Sequence, residues 1–181
     1  YNQTPDNFTF AVKASRYITH MKKLKEPKES LQTFLDRISL LRDKLGIILF
    51  QLPPNWNFNE ERLTSFIDLL PDNFSYTMEF RDTSWINETT YEILRENSIA
   101  FCIYELAGYL SSMEVTADTV YIRLHGPAEN KYQGKYDSET LQDWAESISQ
   151  WAEKGKEVYC YFDNDQAGYA AMNAAELRDI L

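Results

Sequence analysis

Short apolar runs alternate with longer amphipathic stretches along the chain. Residues 8–14 read as a strand. Residues 30–45 read as a helix, because Leu31, Phe34, Leu35, Ile38, Leu41 and Leu45 recur at helical spacing on one face. Gly46 is placed to stop that helix, and 47–51 form a short apolar strand broken by Pro53 and Pro54. Asn59 is placed to cap a helix that Pro71 ends. A strand follows over 76–81, a helix over 87–96 and a strand over 99–105. After 106–117, which lacks a helical period, 118–125 read as a strand. Residues 138–152 carry a helical stripe of Leu141, Trp144, Ala145, Ile148, Trp151 and Ala152. The last strand spans 157–163 and the last helix 166–181.

Six strands alternating with five helices predict an α/β chain with a parallel sheet. An open doubly wound sheet and a (β/α) TIM-type barrel both fit that order. The open sheet needs strands that are apolar on both sides. Here Tyr76, Met78 and Phe80 face one way and Thr77, Glu79 and Arg81 the other. Tyr121, Arg123 and His125 likewise oppose Val120, Ile122 and Leu124. A barrel with a polar site at its mouth accounts for this pattern. A complete barrel takes about 250 residues and eight strands. This chain is therefore expected to be incomplete, lacking two N-terminal strand–helix units, and to form one domain over 1–181.

The polar strand ends supply the candidate chemistry. Glu79, Arg81, Arg123 and His125 are expected to converge at the C-terminal mouth, where buried charges must pair or meet a charged ligand. Glu79 and His125 are the candidate proton-handling residues, since histidine titrates near neutrality and a carboxylate can hold its tautomer. Lys13, Arg81 and Arg123 would bind charge. Gln51, Tyr104 and Asn164 would orient the ligand. A structural ion-pair network is the competing reading of the same charges. His20, followed by Lys22, Lys23 and Lys25, reads as a solvated basic face or as a lid over an anion. Asn164 and Asp165 are placed to cap the last helix. Trp56, Trp85, Tyr104, Tyr109, Tyr132 and Tyr136 lie near strand ends, where aromatics pack the core or stack on ligand rings.

Charge narrows the partners. The 181 residues carry a formal net charge of −10, which disfavours extended nucleic-acid binding and leaves a local basic pocket open. No run approaches the roughly 20 apolar residues of a membrane span. Cys102 and Cys160 sit in apolar runs and read as buried thiols. No cofactor is expected. Two histidines without metal-type spacing disfavour a divalent metal, for which Glu79, Glu105, His125 and Asp165 are the candidate ligands.

Several motifs together resemble the YecE-like family. They are Phe10-Ala11-Val12-Lys13-Ala14-Ser15-Arg16 with Thr19-His20, and the run Leu45 to Pro54. Glu79-Phe80-Arg81 with Ser84-Trp85, Tyr121 to Gly126, and Tyr161-Phe162-Asp163-Asn164-Asp165 follow in order. Gly168-Tyr169-Ala170 with Asn173-Ala174 closes the match. The resemblance implies a TIM-barrel-like fold and a cytoplasmic bacterial or archaeal protein, and it implies no particular activity. Two departures are visible: Asp163-Asn164 where the family carries paired asparagines, and Glu105 near a common aspartate. The residues alone favour an acid–base enzyme, a hydrolase or lyase, on a small polar or anionic ligand. The alternative is a non-catalytic binding module for a nucleotide, a nucleic-acid end or a protein partner.

Overall fold

In the computed structural model, which describes residues 3–181, the chain divides into two compact units, Tyr1–Ile99 and Ala100–Leu181. The first is built on three parallel strands: β1 (Phe10–Lys13), β2 (Leu45–Leu52) and β3 (Ser75–Phe80). Between and after them run α1 (Lys28–Ile38), α2 (Glu60–Ile67) and α3 (Glu88–Glu96). Strand alternation sends Ile48, Phe50, Tyr76, Met78 and Phe80 to one face. Phe50 is fully buried there, its ring 4.9 Å from Phe66 of α2 and 6.3 Å from Phe34 of α1. Asn59 and Asn87 cap α2 and α3, accepting from Arg62 N at 2.8 Å and Thr90 N at 2.9 Å.

The expected 30–45 helix is corrected. Its α-helical part ends at Ile38, and a tight turn over Ser39–Lys44 puts Arg42 at φ 51 before β2 begins at Leu45. Gly46 lies inside β2 and stops nothing. The turn buries Lys44, whose ammonium donates to the Thr4 carbonyl at 3.0 Å.

The second unit orders β4 (Ala100–Leu106), β6 (Thr119–Leu124) and β7 (Glu157–Phe162) in parallel, with α4 (Ser138–Glu153) and α5 (Tyr169–Ile180). Six strands are thus parallel within their units, as the sequence pattern predicts. A short β5 (Tyr109–Leu110) pairs antiparallel with the end of β4. Its two-residue turn, Ala107 at φ 53 and Gly108 at φ 74, has the left-handed geometry of tight hairpins. Alanine is an unusual occupant of such a turn, so the segment carries little hairpin signal. Among the described residues, no helix is long and apolar enough to cross a membrane.

Candidate functional site

In the first unit, Lys13 is level with Leu49, Leu49 with Thr77, and Gln51 with Glu79. Lys13, Gln51, Thr77 and Glu79 therefore share the sheet face opposite the Phe50 core, at or near the strands' C-terminal ends. Glu79 is fully buried and forms an ion pair with Arg81 just beyond β3, whose side chain is also buried. A buried carboxylate requires such a partner, because desolvating it unpaired costs several kcal/mol or more.

The chain after β1 turns into a short π-helical segment, Tyr17–Met21. It buries Thr19, whose hydroxyl lies 2.8 Å from His20 Nδ1. Burial, Arg16 and Lys13 hold His20 below its ordinary value of 6.5, and Glu79 opposes them. His20 thus belongs electrostatically with Lys13, Arg16 and Glu79. Of the following basic run, Lys23 and Lys25 are exposed, while Leu24 is buried and Arg62 donates to the Lys23 carbonyl at 3.1 Å.

In the second unit, register places Tyr104, Arg123 and Tyr161 side by side. Two residues on, His125 and Asp163 continue the same face, Asp163 N–H donating to the Leu124 carbonyl at 2.8 Å. One oxygen of Asp163, Oδ2, lies 2.7 Å from Arg123 Nη2 and 3.3 Å from His125 Nδ1. The imidazole contact is close in distance but off the hydrogen-bond line. His125 is 1% exposed and meets the edge of Tyr132 with ring centroids 5.4 Å apart. Tyr104 is buried with its ring 5.9 Å from Tyr109. Asp163 is not among the site residues expected from the sequence. Its alternation with Tyr159 and Tyr161 is the signal that places it beside Arg123 and His125.

Asn164 and Asp165 do not cap the last helix. Gly168 occupies the cap of α5, and Asp165 makes no side-chain cap bond to the turn before it. Asn164 is instead fully buried, its amide donating to the Gly134 carbonyl at 2.9 Å and to Asn173 Oδ1 at 3.0 Å. Both partners are acceptors, which fixes the amide orientation. Its Oδ1 is buried and makes no hydrogen bond.

Glu105 shares the level of Leu124 and so faces away from Tyr104 and Arg123. There Tyr136 hydrogen-bonds it, and burial raises its carboxyl above the ordinary 4.5. The same Tyr136 hydroxyl accepts from Gly126 N–H at 3.0 Å. No group of three or more metal-ligating side chains occurs among the described residues. Asp165 is exposed, which removes it with Glu105 from the candidate metal set in this unit. Trp85 and Tyr136 are buried packing residues, Trp85 stacking on Phe80 and donating to the Trp56 carbonyl at 2.5 Å. Neither cysteine is in a disulfide, and burial pushes the Cys160 thiol up to about 12.

The model of the family described as "Protein of unknown function DUF72" matches residues 1–181. The YunF protein of Bacillus subtilis is 24% identical over 99% of this chain and 75% of its own length. The YecE protein of Escherichia coli is 35% identical over 44% of this chain and 29% of its own. Both carry the description UPF0759. A crystal structure of a DUF72 protein from Thermotoga maritima has a TM-score of 0.89 and 31% identity, covering 99% of this chain and 75% of its own. One from Enterococcus faecalis has a TM-score of 0.85 at 20% identity, with coverage of 98% and 75%.

Proposed function

Because the chain belongs to the DUF72 family, whose description carries no activity, we propose a function from the site residues: an acid–base enzyme, a hydrolase or lyase, acting on a small anionic or polar ligand at the C-terminal ends of the parallel strands. The observation that carries this reading is the Arg123–Asp163–His125 group. A carboxylate beside His125 Nδ1 favours the tautomer that presents Nε2 for proton transfer and stabilises the imidazolium once formed. Arg123 places a guanidinium at the same carboxylate, where an incoming anion would share or displace the ion pair. Arg123 offsets the charge of Asp163, so that carboxylate does not by itself exclude an anion.

Within the second unit, Tyr104 orients the ligand from the face it shares with Arg123. The first unit stands by itself: there Glu79 is the proton-handling group, Arg81 and Lys13 bind charge and Gln51 orients a ligand. Asn164 contributes only its Oδ1 acceptor, because both its amide hydrogens are committed. The net charge of −10 favours a small ligand over an extended nucleic acid. On this reading the protein works in the cytoplasm, where two unlinked thiols are stable.

The test is turnover on panels of phosphate esters, carboxylate esters and hydroxy acids. His125→Asn and Glu79→Gln should each lose turnover while ligand binding persists. Full activity in both variants would remove the proton-transfer roles. Binding without turnover in the wild type would leave the binding-module alternative.

A further inference from the structure

We propose that His20 is the proton acceptor of a separate oxyanion site at the end of β1, in which Lys13 and Arg16 hold the anion and the imidazole Nε2 takes its acidic proton. The proposal shares with the reading above the class of ligand, the first unit's Lys13 and the nearby Glu79. It concerns a different histidine and adds Arg16, and it does not depend on the Arg123 group.

The local fold prepares the ring. Thr19 is 1% exposed, and its backbone N–H donates to the Ser15 carbonyl at 3.3 Å. Its hydroxyl lies 3.4 Å from the Ser15 carbonyl oxygen and 2.8 Å from His20 Nδ1. A hydroxyl has one proton to give. Sent to the carbonyl, it leaves the oxygen to accept from Nδ1–H, so the neutral imidazole carries its lone pair on Nε2. Nδ1 is then committed to the protein, and Nε2 is the nitrogen left for a ligand.

The surroundings select the ligand. Arg16 and Lys13 flank Ser15, both are exposed, and both act on His20. Glu79 is the opposing carboxylate, while Tyr17 and Lys22 are the other titratable side chains of the same segment. With burial added, these cations keep the imidazole neutral at neutral pH. A bound oxyanion offsets the two positive charges, and His20 then becomes a better base only when a ligand is present. In the transfer, the ligand's O–H bond breaks, its electron pair stays on the oxygen, and the proton forms the Nε2–H bond. The imidazolium is offset by the anion and by Glu79.

The experiment is an NMR pH titration of the two histidines, assigned through His125→Asn, with inorganic phosphate added against chloride at equal ionic strength. The ring-nitrogen shifts of His20 should show Nδ1 protonated and Nε2 bare at neutral pH. Phosphate should move the His20 midpoint upward. Lys13→Ala with Arg16→Ala should raise the midpoint without phosphate and abolish the response to it, and Arg16→Lys should restore part of that response. Unchanged His125 signals verify that the variants fold. An Nε2–H tautomer, or a His20 midpoint indifferent to phosphate, overturns the proposal. If phosphate moves His125 but not His20, this site fails and the Arg123 site stands; if it moves His20 alone, the reverse holds.

Discussion

Asn173 grips Tyr136 by both sides of the peptide: its Oδ1 accepts from Tyr136 N–H at 3.1 Å, and its Nδ2 donates to the Tyr136 carbonyl at 3.0 Å. Both residues are buried. The same Oδ1 takes a hydrogen bond from Asn164, so one amide ties the segment between β6 and α4 to α5 and to the end of β7. Asn173→Ala leaves a buried N–H and a buried C=O without partners, at about 1–3 kcal/mol each. The expected loss is about 3 kcal/mol, a fall in Tm on the order of 10 °C for a chain of this size. Thermal or urea denaturation checks it. A loss below about 1 kcal/mol would mean that water replaces the amide.

Gly126 opens that segment at φ 101, and a Cβ there would collide with the Gln133 carbonyl oxygen. The obstacle is backbone, so no side-chain rotation relieves it. Gly126→Ala is expected to cost more than 3 kcal/mol, since strain and overpacking each contribute about 1–3 kcal/mol. Gly108→Ala is the control: its φ is 74 with open space around the Cβ, and only the conformational cost of about 1 kcal/mol applies. Equal losses in urea unfolding would contradict the clash.

Glu105 makes stability depend on pH in a direction that can be read. Burial raises its folded-state pKa above the ordinary 4.5, so the native protein holds the proton more tightly than the unfolded chain. Stability from this group is full below pH 4.5, declines as pH rises from there to the folded value, and stays lowered above it. Glu105→Gln keeps an acceptor for Tyr136 and removes the buried charge. The variant should melt higher than wild type at pH 7, with the difference vanishing near pH 4. A lower melting point at pH 7 would show that the ionised carboxylate is needed by Tyr136.

The strand–helix order was legible because each element obeys its local period, and Asn59 and Asn87 stand where caps belong. Two boundaries were not. Gly46 looks like a helix stop by residue type, yet the strand pairing of β2 overrides that preference. Asn164 looks like a cap for the same reason, but its amide serves partners at positions 134 and 173, which no local pattern can announce. The site was legible in part. Period-two alternation put Arg123 with His125 and Glu79 with Arg81. Asp163 was visible as a residue but not as their partner, because the pairing joins β6 to β7 across an intervening helix. Glu105 was misplaced among candidate metal ligands, since its face follows from register against Leu124.

Arg123, Asp163 and His125 form either a site for ligands, as proposed, or a structural ion network. The direct test is the shift in Tm of wild type and Arg123→Met with inorganic phosphate, acetate and citrate. A ligand site predicts that at least one of these anions raises the wild-type Tm, that the rise is absent in the variant, and that the two proteins without anion melt within about 2 °C of each other, under 1 kcal/mol. No shift in the wild type, together with a variant that melts several degrees lower, would make the group structural and contradict the account.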